Sequence, residues 1–202
     1  MSVRTNIEFS TIGQENQVTM ITSAEPDAGK SIMSSNLAVV SAQQGKKTLL
    51  IDLDLRKPTQ HRVFFNSNER GVTSVLLHPD HKSMAIQDTE VERLHVLTSG
   101  PIPPNPTEIL NTQALVDLIN GLRADYDQII LDAPPVLVAS DARLIARLAD
   151  GIVFIIKSGA SEYKKIAKSI ELLQKTQTKI LGAVLNKPSA QPGKMYYTYG
   201  DK

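Results

Sequence analysis

The stretch from Thr19 to Ser31, TMITSAEPDAGKS, constrains the fold more than any other part of this chain. An apolar run at Val18, Met20 and Ile21 is typical of a buried strand, a loop of small residues follows, and Gly29-Lys30-Ser31 opens a helical pattern. In that context the backbone N–H groups of the loop and of the first helical turn bind phosphate groups, aided by the positive end of the helix dipole. The stretch therefore predicts a phosphate-binding loop (P-loop).

Two side chains of this loop carry its chemistry. Lys30 is expected to reach the β- and γ-phosphates of a nucleotide, and the Ser31 hydroxyl is expected to bind Mg²⁺. The strict pattern G-x-x-x-x-G-K-[ST] nonetheless fails, since Ala24 stands at its first position, and Asp27 places a carboxylate in a loop that binds anions. We therefore expect a variant form of the loop.

Short apolar runs alternate with helical patterns along the rest of the chain. Strands are predicted at 48–51, 94–97, 128–131, 151–156 and 180–185, helices at 31–44, 107–123, 140–148 and 161–174, and short helical pieces at 3–9, 71–77 and 84–88. Such alternation favours right-handed βαβ units. The predicted fold class is α/β, P-loop NTPase-like, with a mainly parallel sheet covered by helices on both faces.

Composition narrows the class of protein. A chain of 202 residues that is 41% hydrophobic and 21% charged fits one globular domain, and a net charge of +1 gives no field that would attract nucleic acid. The absence of cysteine fits a cytoplasmic location. The apolar runs are too short to span a bilayer and the first ten residues lack the apolar core of a signal peptide, so any membrane association is expected to come through a partner.

Two acidic residues directly follow predicted strands. Asp52 ends the strand at 48–51, and Asp132 ends the strand at 128–131. Ligands of open α/β sheets bind outside the carboxyl ends of the strands, so both carboxylates are expected at the edge where the phosphate-binding loop leaves its own strand. Together with Lys30 and Ser31 they form a predicted site for a nucleotide and Mg²⁺.

Several motifs of this sequence resemble those of the bacterial tyrosine kinases (BY-kinases). They are a Walker A loop at 23–31, an A′ motif ending in Asp52-Leu53-Asp54-Leu55-Arg56-Lys57-Pro58, a Walker B motif at 129–135, Pro103-Pro104-Asn105-Pro106, Leu185-Asn186-Lys187, and a tyrosine cluster at 196–201. The resemblance extends from about Arg4 to the end of the chain. It is closest to the separate cytoplasmic kinases of capsule and exopolysaccharide systems.

The resemblance implies a protein-tyrosine kinase that transfers the γ-phosphoryl group of ATP, as a Mg²⁺ complex, and assigns a role to several residues. The implied catalytic residues are Lys30, Asp52 (the candidate base), Asp54 and Asp132; the implied nucleotide-binding residues are Asp27, Ala28, Gly29, Lys30, Ser31, Ile32, Arg56 and Asn186; and the implied Mg²⁺ ligands are Ser31, Asp52 and Asp132. Asn186 is expected to meet the adenine. The family usually has glycine at the position of Asp27.

The C-terminal segment is expected to carry the phosphoacceptors. Tyr196, Tyr197 and Tyr199 lie beyond the last predicted strand, next to glycine and proline, where an accessible hydroxyl suits a phosphoryl acceptor. The predicted domain division is a kinase domain at 1–190 and a flexible tyrosine-rich tail at 191–202.

The resemblance also implies partners and a place in the cell. The expected partners are a membrane-embedded activator supplied in trans, a cognate tyrosine phosphatase, and further copies of this chain in a ring. The family builds that ring with an N-terminal Glu-x-x-Arg-x-x-Arg helix, of which only Arg4 has a counterpart here, so the ring is expected to be weakened. The expected location is cytoplasmic, peripheral to the membrane through the activator.

Two other functions stay open on the sequence. A Min/Par-type ATPase would share the fold and the strand-end acids, but that group carries a lysine five residues before the P-loop lysine, where this chain has Glu25. A nucleotide-binding regulatory scaffold with weak or no kinase activity would fit the carboxylate of Asp27 and the incomplete N-terminal helix.

Overall fold

A computed structural model describes residues 3–13 and 16–186. The helices of this part are α1 (Val3–Ser10), α2 (Lys30–Gln43), α3 (Gln60–Val63), α4 (Val72–Leu77), α5 (Lys82–Ala85), α6 (Pro106–Leu110), α7 (Gln113–Arg123), α8 (Asp141–Ala146) and α9 (Tyr163–Gln174). The strands are β1 (Val18–Ser23), β2 (Thr48–Asp52), β3 (Ile86–Asp88), β4 (Leu94–Leu97), β5 (Gln128–Asp132), β6 (Gly151–Lys157) and β7 (Lys179–Asn186). Among the helices described, none has the length and apolar character needed to cross a membrane.

The strands form one sheet in the order β3-β4-β2-β5-β1-β6-β7. Every neighbouring pair is parallel except β3 and β4, which confirms the predicted mainly parallel sheet. The central strands β1, β2 and β5 are buried along their whole length, as their continuous apolar runs predicted. One hydrophobic core lies under α1 and α2, and the other lies under α4 to α9 on the opposite face.

Two details of the predicted secondary structure are wrong. The helical piece predicted at 84–88 is instead the end of α5 followed by the strand β3, because Ile86 and its neighbours pair with β4 at the edge of the sheet. The single helix predicted at 107–123 is two helices, α6 and α7. Thr112 is extended and its hydroxyl accepts a hydrogen bond from the N–H of Leu115, so it caps a new helix where one continuous helix was expected.

Asp150 anchors the amino end of β1. Its carboxylate pairs with both terminal nitrogens of Arg123, at 2.8 and 2.9 Å, and accepts the backbone N–H groups of Gln17 and Val18 at 2.9 and 2.7 Å. Burial alone would raise the pKa of Asp150, but these contacts outweigh it and lower the pKa. The α7 helix is thereby fixed to the start of the central strand.

Candidate active site

The phosphate-binding loop connects β1 to α2 at the centre of the sheet. Gly29 has φ of 90° and directly precedes α2, so this position favours glycine because a side chain there would be strained. Asp27 also adopts a left-handed conformation, with φ of 61°, which aspartate tolerates better than most residues. Asp27 therefore occupies a left-handed backbone conformation that glycine favours, at a position where the resembling family usually has glycine.

Lys30 begins α2 and is buried among carboxylates. Its Nζ lies 2.8 Å from Oδ2 of Asp54, 3.8 Å from Oδ1 of Asp132, and 3.1 Å from the Ser31 hydroxyl. Burial alone would lower the pKa of Lys30, but the attraction of Asp132 and Asp54 outweighs it and raises the pKa. The ammonium group is thus held at the mouth of the loop in its charged form.

The strand-end acids lie side by side, as their positions predicted. Asp52 and Asp132 are paired in register on β2 and β5, and both are fully buried. Oδ2 of Asp52 accepts the backbone N–H groups of Thr59 and Gln60, each at 2.9 Å, and Oδ1 accepts that of Asp54 at 3.2 Å. Burial, followed by repulsion from Asp132, raises the pKa of Asp52 to about 7.

Gln60 is a member of the site that sequence reasoning missed. Its Nε2 donates to Oδ2 of Asp132 at 2.6 Å and to the carbonyl of Ser31 at 3.2 Å, and its Oε1 accepts the Ser35 hydroxyl at 2.8 Å. The side chain is fully buried and joins α2, α3 and β5. A glutamine in a polar stretch after the A′ motif carries no sequence signal of burial, so only the position of α3 identifies it.

Arg56 is held at the site by a second residue that the sequence did not indicate. Its Nε donates to Oδ2 of the buried Asp141 at 2.7 Å, and its Nη2 donates to the Thr107 hydroxyl at 3.0 Å, which in turn donates to Asp141 at 2.6 Å. The hydrogen bond that Arg56 donates to Asp141 is the main cause of the raised pKa of Arg56. Nη1 has no partner among the described residues.

The remaining predicted residues lie around the loop. Asn186, at the end of β7, donates from its amide to the carbonyl of Ala28 at 2.9 Å and so braces the loop. Glu25, at the position of the Min/Par lysine, pairs with Lys165 of α9 at 2.7 Å. The predicted acceptors at 196, 197 and 199 lie outside the described residues.

A cavity of about 440 Å³, here called the cleft, opens beside Lys30. It is lined by Pro26, Asp27, Gly29, Lys30, Ser31, Ile32, Asp54, Arg56, Lys57, Thr59, Val63, Pro134, Pro135 and Val138. The residues from the P-loop and from the segments after β2 and β5 thus meet at one edge of the sheet. Asp52, Asp132 and Asn186 do not line the cleft.

The residues of this edge fit a nucleotide phosphate and Mg²⁺. The hydroxyl of Thr59, which lines the cleft, is buried and has no hydrogen-bond partner among the described residues, as expected where a ligand oxygen completes the site. In the same part of the chain no group of three or more histidine, cysteine, aspartate and glutamate side chains is arranged to hold a metal ion. Mg²⁺ commonly takes only one or two protein carboxylates, with phosphate oxygens and water as its other ligands.

Comparison with known proteins adds independent information. The AAA domain family matches residues 17–183. Tyrosine-protein kinase YwqD of Bacillus subtilis (strain 168) is 47% identical over 201 residues, which cover 100% of this chain and 85% of that protein.

Two solved structures have folds similar to that of this chain. The kinase domain of the Escherichia coli tyrosine kinase ETK superposes with a TM-score of 0.89 at 35% identity, over 98% of this chain and 77% of that one. The cell division ATPase MinD of Pyrococcus furiosus gives a TM-score of 0.75 at 23% identity, over 88% of this chain and 75% of that one. The second likeness concerns the fold alone.

Proposed function

The chain belongs to the bacterial tyrosine kinases and is a protein-tyrosine kinase, and on that premise we propose that it phosphorylates its own C-terminal tyrosines. The donor is ATP with Mg²⁺, and the acceptors are Tyr196, Tyr197 and Tyr199. The observation that carries the proposal is the buried Lys30, which begins a helix after a left-handed glycine and contacts Asp54 and Asp132 at the carboxyl ends of the central strands. That arrangement binds a polyphosphate and places carboxylates beside it.

We propose that the phosphoryl transfer is a direct displacement at the γ-phosphorus of ATP. The tyrosine hydroxyl gives its proton to a carboxylate, the phenolic oxygen forms a bond to the γ-phosphorus, and the bond from that phosphorus to the bridging oxygen breaks, so that the electron pair leaves with ADP. Lys30 and the backbone N–H groups of the loop hold the phosphates in place. When bound, Mg²⁺ neutralises phosphate charge, and Ser31 with Asp132 are the side chains proposed to hold it.

Two carboxylates compete for the role of base. Asp52 is the proposed base on the family resemblance, although it is fully buried beside Asp132 and does not line the cleft. Asp54 lines the cleft and contacts Lys30, so it is the matched alternative. Measurement of kcat for D52N and D54N decides between them. The variant that replaces the base loses phosphoryl transfer, while its affinity for Mg²⁺-ATP stays within about threefold of that of the parent.

The cellular role is proposed on the family resemblance. We propose that the kinase regulates capsule or exopolysaccharide synthesis and export and is stimulated by a membrane-embedded activator. A tyrosine phosphatase would remove the phosphoryl groups that it adds. Attachment to the membrane would then come through the activator. We also propose that copies of this chain assemble in a ring, as the family resemblance implies.

Intact mass after incubation with Mg²⁺-ATP tests the proposal, with and without the cytoplasmic segment of the activator. Additions of phosphate that disappear in the Y196F/Y197F/Y199F variant support the kinase and its acceptors, and K30M serves as the inactive control. Hydrolysis of ATP without transfer would favour a Min/Par-type ATPase. Nucleotide binding with neither activity would favour the regulatory scaffold.

A further inference from the structure

The outer walls of the cleft are apolar and exposed. Ile32, Val63 and Val138 are 61%, 42% and 52% exposed, and the buried Pro134 and Pro135 belong to the same lining. Exposed apolar side chains that gather at one concave site are typical of binding surfaces. The lining also includes charged groups, of which Lys30 and Asp54 are in contact with each other.

The cleft lies on the side of the phosphate loop away from the proposed adenine contact. Its lining comes from the loop itself and from the segments that follow β2 and β5, which both lie on one side of β1 in the sheet. Asn186 belongs to β7, two strands away on the other side of β1, and contacts the loop at Ala28. A nucleotide whose base lies near Asn186 and whose phosphates lie at Lys30 therefore leaves the apolar walls unused.

The walls match one component of the reaction. The acceptor must approach the terminal phosphate from the side opposite the leaving group, and the proposed placement of the nucleotide turns that side toward the cleft. A phenyl ring gains from apolar contact, and its hydroxyl at the far end reaches past the ring toward Lys30 and Asp54. A serine or threonine hydroxyl, which is close to its own backbone, would need the peptide backbone itself to enter the cleft.

We propose that Ile32, Val63 and Val138 form the acceptor subsite, which takes the phenyl ring of the tyrosine to be phosphorylated and selects it over serine and threonine. The proposal rests on the proposed kinase function and adds the residues that set its specificity. The backbone N–H of Ile32 would then bind the phosphate, and its side chain would contact the phenyl ring. The unpartnered Thr59 hydroxyl lies in the same lining and can hydrogen-bond an oxygen there.

The test uses the full chain with Y196F/Y197F/Y199F, so that its own tail does not compete with an added acceptor. The acceptor is a synthetic peptide of residues 191–202, and V63S/V138S is compared with L77S on the same background. Leu77 is a matched control because it is 68% exposed, lies on α4 and is outside the lining of the cleft. The steady-state parameters for peptide and for Mg²⁺-ATP are measured separately.

The expected result is a loss in kcat/KM for the peptide of about tenfold or more in V63S/V138S, since two apolar contacts to the ring are removed. The KM for Mg²⁺-ATP and the melting temperature stay as in the parent, and L77S behaves as the parent. The preference for the tyrosine peptide over its serine counterpart falls in the same variant.

Three outcomes overturn the subsite. The first is an unchanged kcat/KM for the peptide in V63S/V138S while Mg²⁺-ATP still binds. The second is an equal loss in L77S. The third is a loss confined to the activity stimulated by the activator segment, which would make the walls the activator's docking surface. A chain with its own tyrosines intact that takes up no phosphate from Mg²⁺-ATP would instead overturn the proposed function, and the subsite with it.

Discussion

Replacement of Lys30 by methionine should destabilise the protein as well as inactivate it. The ammonium group contacts Asp54 at 2.8 Å and Asp132 at 3.8 Å, and Asp52 is paired with Asp132 across the two strands. Methionine fills a similar volume but leaves these buried carboxylates without that counter-charge. Removal of one partner of a buried ion pair costs about 3–5 kcal/mol, and the lower end is expected because the carboxyls can protonate.

The expected loss is therefore about 3 kcal/mol, which for a chain of this size corresponds to a fall in melting temperature of roughly 6–12 °C. Because the pKa of Lys30 is raised above its ordinary value of 10.5, the ammonium group is charged at neutral pH. Its contribution to stability would be lost as the pH rises through the folded pKa.

A double-mutant cycle isolates the interaction. Urea denaturation without nucleotide gives the free energy of unfolding of the parent, K30M, D54N and K30M/D54N. Because D54N removes one of the charges that K30M leaves unpaired, the double variant should be more stable than the two single losses predict, with a coupling energy of about 1–3 kcal/mol. Transfer to the tail is absent in K30M and in the double variant.

The cycle can also refute the reasoning. If K30M unfolds at the same urea concentration as the parent, the contacts of the ammonium group with Asp54 and Asp132 contribute nothing to the free energy of unfolding. If K30M retains transfer, Lys30 has no role at the phosphates. These two outcomes are independent of each other.

Further predictions concern residues outside the phosphate loop. D150N should lower the free energy of unfolding by about 1–3 kcal/mol at neutral pH, measured by urea denaturation. Because the folded pKa of Asp150 is lowered, the parent is more stable above the unfolded pKa of 3.8, and this difference should vanish as the pH falls through the folded pKa. A difference that is constant at all pH values would contradict the prediction. D141N should lower kcat for transfer by about threefold or more, because it releases Arg56. If R56A/D141N loses more activity than R56A alone, Asp141 does not act through Arg56. G71A should lower the melting temperature strongly, because its Cβ would stand 2.2 Å from the backbone nitrogen of the loop at 100. G121A, whose Cβ meets nothing within 4 Å and which lies inside α7, is the control and should melt at or slightly above the parent.

The sequence alone determined the sheet and the strand-end chemistry. Apolar runs that are buried on both faces can hardly form anything but the interior of a parallel sheet, and parallel strands bring their carboxyl ends to one edge. The proximity of Lys30, Asp52 and Asp132 follows from that geometry, because Asp52 and Asp132 end central strands and Lys30 begins the helix after the loop that leaves β1. Local spacing sufficed because these residues are placed by the backbone.

Two elements could not be predicted from apolar periodicity. Ile86 to Asp88 is too short to select helix or strand by itself, and pairing with the edge strand β4 selects strand. The break before α7 has a local cause, because the Thr112 hydroxyl provides a cap that competes with continuation of the helix. The apolar pattern of a stretch reveals neither an edge partner nor a cap.

Only the tertiary structure decided which polar side chains support the site and what shape the cleft has. Gln60 and Asp141 occur in polar or mixed stretches, and their burial depends on α3 and α8 folding against the acidic edge. Val63 and Val138 come from segments 75 residues apart and line the same cleft only because β2 and β5 are neighbours in the sheet. Sequence spacing fixes which face of an element a residue occupies, whereas contact between two loops is fixed by the order in which the strands pair.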